Sequence, residues 1–444
     1  MADITSGRAR RMLSVGRLTT AVGGSYLWQA LKRPFQSASR ADRALLEAHI
    51  RNAERVVGSS KELRGAFMKL AQILSMRQDL FPTEALEVLS VVQSAVPPMP
   101  WAQVRAVVAA ELGAPPEVRF RRFEPEAFAA ASLGQVHRAE TKSGEPVAVK
   151  VQYPGIAKTV RDDVKNVRAL LRILTAIARD ILRQDFDREE VAAELEARLA
   201  EELDYRQEAR NLARFRGLLA DDPEVEIPRV HPKLSTARVL TMSLLEGYPI
   251  QEIMAPGVDE DLKDWVGVKL YRLFWRQVLE FGVLHTDPHP GNYLVTHHPH
   301  VGILDFGAVR VFEPEIRRGY LDLARGLLDH DDARIADACR QLGALGPGDD
   351  ADALVRIVHI GCEPLERDEV FDPKDFDLVE RTTRVTQLAM QHRLFRAPGH
   401  QVFLGRALLG VDAYLRALAR PRNWHRLFRD IVEAAATSGA PRRQ

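Results

Sequence analysis

Hydrophobic residues recur with helical spacing over the first long stretch of the chain that has a clear pattern. From residue 45 to residue 112, apolar positions repeat about every 3.6 residues, and runs of β-branched residues are few. A proline-rich break at residues 96–100 interrupts this stretch. The pattern then predicts a helix that begins at Trp101 and ends at Gly113.

Strand-like spacing begins after residue 120. Residues 129–137 lead to a turn at Lys142–Glu145, and the apolar run Val147–Val151 follows, a pattern typical of a β-hairpin. Helical spacing returns at residues 164–177 and at about 188–218. Further strands are predicted at Ala237–Leu245, Tyr293–Thr296 and Val301–Leu304, within a chain that is otherwise helical beyond Gly247.

This order of elements predicts an α+β fold. A hairpin, helices, a strand and then a helical half with a short acidic hairpin describe a two-lobed protein-kinase-like fold, with an N-terminal helical extension and a mainly helical C-lobe. We predict a basic N-terminal segment at residues 1–44, the helical extension at 45–115, the N-lobe at 116–247 and the C-lobe at 248–444.

Composition narrows the function classes. The formal net charge of +1 gives no reason to expect a nucleic-acid partner. The two cysteines, Cys339 and Cys362, cannot form a zinc site by themselves, so we interpret them as packing residues in a reducing compartment. No run of about 18 apolar residues and no signal peptide is visible, so we expect a cytoplasmic chain, soluble or peripheral at a membrane.

The first 40 residues are basic, with apolar residues interleaved. One interpretation is a helix that binds a membrane surface or a partner. The other is a poorly ordered tail or a first helix docked on the body. The Gly23–Gly24 pair interrupts a continuous amphipathic helix and favours the second interpretation.

The strongest chemical signal lies between residues 285 and 307. Asp287 and Asn292 stand five residues apart, the spacing of a kinase catalytic loop, and Asp305 opens an Asp-Phe-Gly sequence eighteen residues after Asp287. Mg²⁺ prefers oxygen ligands, which Asn292 and Asp305 can supply, while Asp287 orients the acceptor and takes its proton. We interpret His285 and His289, which flank Asp287, as packing residues.

Lys150 lies in the middle of an apolar strand, the position of the lysine that holds nucleotide phosphates in kinases. A lysine in such a strand requires a charged partner. Periodicity leaves five glutamates open as that partner, namely Glu194, Glu196, Glu201, Glu202 and Glu208.

The stretch before that strand differs from the glycine-rich loop of ordinary protein kinases. Here the residues expected to cover the phosphates are Ala129, Ala130, Ala131 and Ser132, followed by Gly134. Because alanine carries a Cβ, this loop should be stiffer and should contact phosphates differently. The substitution argues against a standard protein kinase.

Taken as a set, these motifs resemble those of the UbiB/AarF atypical kinases, the group that includes the ADCK proteins linked to coenzyme Q. The resemblance runs from about residue 45 to about residue 415. The motifs that carry it are the alanine-rich stretch with Ser132–His137, Val147–Lys150, Glu202–Tyr205, His285–Asn292 and Asp305–Gly307.

The resemblance implies roles for further residues. Glu208 is expected to pair with Lys150, and Glu202 and Asp204 to face the active site. Lys69 and Gln72, at i and i+3 on one helix, correspond to the family's signature motif, which folds over the pocket and blocks the protein-substrate site. Ala71 replaces the glycine usual in that motif.

The resemblance also implies ATP and Mg²⁺ as cofactors, with backbone groups of Ser243 to Leu245 at the adenine. The expected partners are the nucleotide and a membrane lipid, a quinone precursor or quinone-biosynthesis proteins. Many relatives contain a membrane-spanning helix, for which no candidate is visible here. The function favoured is an atypical kinase or ATPase in ubiquinone or isoprenoid-lipid metabolism. The alternatives are a protein kinase acting in trans, a nucleotide-sensing scaffold and an antibiotic-type phosphotransferase.

Overall fold

A computed structural model describes residues 99–131, 133–156, 203–375, 378–394, 396 and 398–437. These residues belong to two compact units. The first unit contains the described residues up to Ala209 together with Val230–Leu244, and the second contains Arg210–Arg229 and the chain from Leu245 onward. The four-segment division predicted from the sequence stays a prediction, since its first segment lies outside the described residues.

The described elements follow the chain in a fixed order. The helices are α1 (Trp101–Leu112), α2 (Pro116–Arg119), α3 (Tyr205–Leu218), α4 (Ile250–Ile253), α5 (Glu260–Trp275), α6 (Pro314–Asp329), α7 (Asp332–Gln341), α8 (Ala351–Glu366), α9 (Leu378–Gln391), α10 (Gly399–Leu418) and α11 (Trp424–Thr437). The strands are β1 (Arg122–Ala131), β2 (Gly134–Glu140), β3 (Pro146–Gln152), β4 (Val225–Glu226), β5 (Val239–Ser243), β6 (Gly247–Pro249), β7 (Val283–His285), β8 (Tyr293–Thr296), β9 (Val301–Ile303) and β10 (Val309–Val311). Short 3₁₀ turns occur at Pro232–Leu234 and Pro290–Asn292, and π-helical turns at Arg276–Phe281.

The first unit is built on an antiparallel sheet with the strand order β1-β2-β3-β5. Because side chains alternate along a strand, Val147, Val149 and Val151 share one face of β3, and they join the buried cluster that includes Val104 and Val108 of α1. Burial stabilises each of these valines by about 1.5–3 kcal/mol. Lys150 therefore projects from the opposite face of β3, away from that cluster.

Helix α1 begins and ends where the sequence predicts. Trp101 is its first residue, and Gly113 caps its C-terminus in the left-handed conformation, at φ +74°. Glycine adopts this conformation without the steric cost that a Cβ imposes, so the helix ends there. The predicted hairpin at Lys142–Glu145 is also present as the connection between β2 and β3.

The alanine-rich stretch differs from its predicted form. Ala129, Ala130 and Ala131 are not a loop but the last residues of β1, paired with Val136, Gln135 and Gly134 of β2. Leu133 lies in a turn directly before β2. A Cβ on Gly134 would overlap the backbone carbonyl of Val151 in β3, so the close approach of these strands explains the glycine.

The second unit surrounds its strands with helices. Helices α5, α6, α10 and α11, together with β7, contribute to a buried cluster that includes Phe274, Leu284, Trp424 and Phe428. The predicted strands at residues 293–296 and 301–304 are confirmed, the second ending one residue early at Ile303. They pair with β4 and β6 in a sheet of order β4-β9-β8-β6, while β7 pairs with β10.

The cysteines lie on α7 and α8, and neither forms a disulfide. Both pack in one apolar cluster with Leu345 and Ala353. Burial raises the pKa of the Cys339 thiol to about 11, so the thiol stays protonated and unreactive at neutral pH. Within the described ranges, no helix combines the length and the apolar character needed to cross a membrane.

Candidate active site

The β8–β9 hairpin brings Asn292 next to the Asp-Phe-Gly sequence. Tyr293 pairs with Ile303 in this antiparallel ladder, and one step further the amide of Leu304 donates to the carbonyl oxygen of Asn292 at 2.9 Å. Asn292 and Asp305 therefore leave the hairpin at the same end. This register places Asn292 beside Asp305, and the five residues from Asp287 to Asn292 complete the eighteen-residue spacing noted in the sequence.

Asn292 also holds Asp287. Its side-chain Nδ2 donates to the Asp287 carbonyl oxygen at 3.2 Å and to Asp287 Oδ2 at 3.1 Å. The 3₁₀ turn at Pro290–Asn292 brings the Asn292 side chain back to Asp287. His289 stabilises this turn, because its Nδ1 accepts a hydrogen bond from the Gly291 amide at 3.0 Å. The two residues predicted to share the loop chemistry are thus in contact.

Asp305 is held from two sides. Its Oδ1 accepts a hydrogen bond from the amide of Gly307 at 2.9 Å, and its carbonyl oxygen lies 2.5 Å from Nε2 of His285. A carbonyl oxygen can only accept, so the Nε2–H of His285 is the donor in this contact. Nδ1 of His285 is buried without a hydrogen-bond partner among the described residues. His285 is therefore more than a packing residue, because it orients the backbone at Asp305.

Phe306, the middle residue of the Asp-Phe-Gly sequence, is fully buried and is held by side chains of α3. The ring of Phe215 packs against that of Phe306 at a tilt of 53°, with the centroids 4.9 Å apart, and Nδ2 of Asn211 donates to the Phe306 carbonyl oxygen at 2.9 Å. Asn211 was missed by sequence reasoning. An asparagine on the buried face of an amphipathic helix was the available signal, because a buried amide requires a partner.

In the first unit, Lys150 pairs with Glu208. The Lys150 Nζ donates to Glu208 Oε1 at 2.6 Å, and the two side chains are only 8% and 5% exposed. The Tyr205 ring lies 5.5 Å from the Lys150 ammonium. The pairing implied by the resemblance is present, and it selects one of the five glutamates that periodicity left open. The role of Lys150 toward a nucleotide stays a prediction.

Helix α10 packs directly on the loop that contains Asp287 and Pro288, a contact that sequence reasoning missed. Nη2 of Arg406 lies 2.7 Å from Asp287 Oδ1, and the Tyr414 hydroxyl donates to the Pro288 carbonyl oxygen at 2.5 Å. Burial, with smaller contributions from Tyr293 and Asp287, raises the pKa of Tyr414 far above its ordinary value, so this hydroxyl remains a donor at all working pH values. The glycine within the helix, Gly410, was the available cue.

Gly410 leaves room for Pro288, and this contact can be tested. A Cβ at position 410 would overlap the ring of Pro288, which cannot swing away. We expect Gly410→Ala to lower the free energy of unfolding by about 1–3 kcal/mol through overpacking. Thermal unfolding, monitored by tryptophan fluorescence, measures this loss of stability.

The matched control is Gly405→Ala on the same helix. No described atom lies within 4 Å of a Cβ built there. We therefore expect Gly405→Ala to be neutral or to stabilise by up to about 1 kcal/mol, since alanine favours a helix. Equal melting temperatures for the two variants would contradict the packing of α10 on Pro288.

The other predicted site residues are distributed as follows. Asp204 precedes α3, and its Oδ1 accepts a hydrogen bond from the amide of Arg206 at 3.0 Å. Ser243 ends β5, and Leu245 follows it in the second unit. Four predicted residues lie outside the described residues, namely Lys69, Gln72, Ser132 and Glu202.

The residues at the end of the β8–β9 hairpin suit Mg²⁺. The side-chain nitrogen of Asn292 donates to Asp287, so its side-chain oxygen is the atom that can bind a cation. Asp305 adds a carboxylate. Both side chains are half-buried. Hard oxygen donors of this kind are those that Mg²⁺ prefers, so the donor set fits the metal.

Comparisons with known proteins identify the family to which the chain is similar. A family model described as the ABC1 atypical kinase-like domain matches residues 91–339. The chain is 32% identical to the mitochondrial atypical kinase COQ8B of Rattus norvegicus over 92% of this chain and 77% of that protein. It is 30% identical to the mitochondrial atypical kinase COQ8 of Saccharomyces cerevisiae, over 97% of this chain and 86% of that protein.

A solved structure gives the same result for the fold. Rv3197 of Mycobacterium tuberculosis, solved in complex with erythromycin, superposes with a TM-score of 0.61 at 28% identity, covering 89% of this chain and 98% of that one. The predicted α+β, kinase-like fold class is confirmed. Together with the match to the family model, these relatives confirm the resemblance, and the chain belongs to the ABC1/UbiB family of atypical kinases.

Proposed function

We propose that this chain binds Mg-ATP and acts as an atypical kinase or ATPase that supports ubiquinone or isoprenoid-lipid metabolism. The observation that carries the proposal is the joint placement of Asp287, Asn292 and Asp305 by one hairpin register and one loop.

Each residue has a role that its contacts support. Asn292 and Asp305 would hold Mg²⁺, which neutralises phosphate charge when bound. Asp287 orients the acceptor hydroxyl and receives its proton. Lys150, held by Glu208, would bind phosphate oxygens, because a buried ammonium already paired with one anion is preorganised to meet another.

The lipid side of the proposal rests on the family. The resemblance is to kinases linked to coenzyme Q, and two relatives at about 30% identity bear the names COQ8B and COQ8. We propose a prenylated phenol or a quinone-biosynthesis protein as partner, met by a chain that associates peripherally with a membrane surface.

The test is ATP turnover with Mg²⁺, measured by phosphate release with and without anionic liposomes and prenylated phenols. We expect turnover in Mg²⁺ alone and an increase when both additives are present. No response to either additive would remove the quinone-lipid assignment. Transfer of labelled phosphate to added proteins would favour a kinase acting in trans, and tight nucleotide binding without turnover would favour a sensing scaffold.

A further inference from the structure

The catalytic loop contains no lysine or arginine. Residues 285–292 read His-Thr-Asp-Pro-His-Pro-Gly-Asn, so the loop itself places no permanent positive charge beside Asp287. The cation that meets this carboxylate comes from α10, where Arg406 lies 119 residues further along the chain.

The contact has the geometry of a charge-assisted hydrogen bond. Arg406 Nη2 is 2.7 Å from Asp287 Oδ1, while Asn292 Nδ2 donates to Oδ2 at 3.1 Å. With one donor on each oxygen, the plane of the carboxylate is fixed. Each oxygen keeps a further lone pair, so an acceptor hydroxyl can still bind.

The guanidinium of Arg406 also reduces the electrostatic repulsion between Asp287 and a phosphoryl group. A phosphoryl group in transfer is anionic, and an unscreened carboxylate beside it would repel it. Arginine stays charged at every working pH, so it offsets this repulsion permanently. The Arg406 and Asp287 side chains are 26% and 32% exposed, partly shielded from water yet reachable by an acceptor.

Helix α10, which carries Arg406, is held in place by its packing against Pro288. The Tyr414 hydroxyl and the bare backbone at Gly410 both engage Pro288, the residue that follows Asp287. Arg406 lies one turn before Gly410 on the same helix. The position of the guanidinium relative to Asp287 is therefore set by packing.

On this geometry we propose that Arg406 is a positioning residue for phosphoryl transfer. It fixes the carboxylate of Asp287 and supplies the positive charge that the loop lacks, and it makes and breaks no covalent bond itself. The inference rests on the proposed function, because it assigns Arg406 to the same reaction.

The test compares Arg406→Gln and Arg406→Lys in the full chain by steady-state ATP turnover. We expect Arg406→Gln to lower kcat about 10–100-fold and to leave KM for Mg-ATP within about twofold, since a misplaced catalytic group costs rate rather than ground-state binding. Arg406→Lys should recover part of the loss, because it restores the charge without the planar fork. In an Asp287→Asn background, Arg406→Gln should cause no further loss, because its effect passes through Asp287.

The matched control is Arg416→Gln, which removes another arginine–aspartate pair on α10, the one with Asp412 at 2.8 Å. It should keep kcat within about twofold of wild type. If Arg406→Gln behaves like Arg416→Gln, or raises turnover, the positioning role is overturned while the proposed function stands. Absence of turnover in both wild type and Arg416→Gln overturns the proposed function itself.

Discussion

Replacing Asp305 by asparagine is expected to lower ATP turnover about 10³-fold while the protein stays folded. The asparagine oxygen can still accept the hydrogen bond from the Gly307 amide, which lies 2.9 Å from Oδ1, so the local turn is retained. What is lost is the negative charge of the side chain that we propose as a ligand of Mg²⁺. Charge stabilisation by a bound metal contributes several kcal/mol to such reactions, and about 4 kcal/mol corresponds to roughly 10³ in rate.

The measurement is phosphate release over a range of Mg²⁺ concentrations, together with a melting curve. The Mg²⁺ activation curve of Asp305→Asn should shift to higher concentration. Asp337→Asn is the matched control, because this carboxylate on α7 is 76% exposed and pairs only with nearby Arg340 among the described contacts. Unchanged hydrolysis in Asp305→Asn, with the melting temperature preserved, would remove Asp305 from the mechanism.

Breaking the Lys150–Glu208 pair is expected to reduce both stability and activity. The two side chains are 8% and 5% exposed and 2.6 Å apart, so Lys150→Met leaves the carboxylate of Glu208 buried without its ammonium. Removing one partner of a buried pair costs about 3–5 kcal/mol in the free energy of unfolding. Turnover should fall at least about 10²-fold, because the ammonium that we propose to bind phosphate is gone.

The double variant separates the two effects. Lys150→Met with Glu208→Met removes both buried charges, and replacing a buried pair by apolar residues is often neutral for stability. We expect thermal stability to recover while ATP turnover stays low. Recovery of turnover in the double variant would show that Lys150 acts on the fold and not on the nucleotide.

An exposed pair in the same unit provides the reference. Arg121 and Glu140 lie 2.8 Å apart, with side chains that are 67% and 29% exposed. Arg121→Met should cost at most about 1 kcal/mol, because water screens this pair. If Arg121→Met lowered the free energy of unfolding as much as Lys150→Met, burial would not explain the cost of breaking the Lys150–Glu208 pair.

Much of the candidate site could be predicted from the sequence because its parts are local. Asn292 and Asp305 flank a short hairpin, and the pairing of Tyr293 with Ile303 is enough to place them together. The limits of α1 at Trp101 and Gly113 likewise depend on local backbone preferences. Lys150 could be recognised because one charge in an apolar strand is conspicuous.

The remainder was decided by tertiary packing. Ala129–Ala131 were expected in a loop because the comparison was with glycine-rich loops, but pairing with β2 extends β1 through them. Periodicity alone could not choose Glu208 among five glutamates, since several of them recur at helical spacing. Only the resemblance favoured it, and the 2.6 Å contact identifies it.

The sequence by itself singled out the residues that we propose for the chemistry, Asp287, Asn292, Asp305 and Lys150, because each lies in a short segment with a recognisable local pattern. Only the tertiary structure decided what surrounds them. Arg406 reaches Asp287 across 119 residues of chain, and Asn211 reaches Phe306 across 95. Contacts between such distant segments depend on how helices pack, and local signals such as a buried asparagine or a glycine within a helix do not identify the partner.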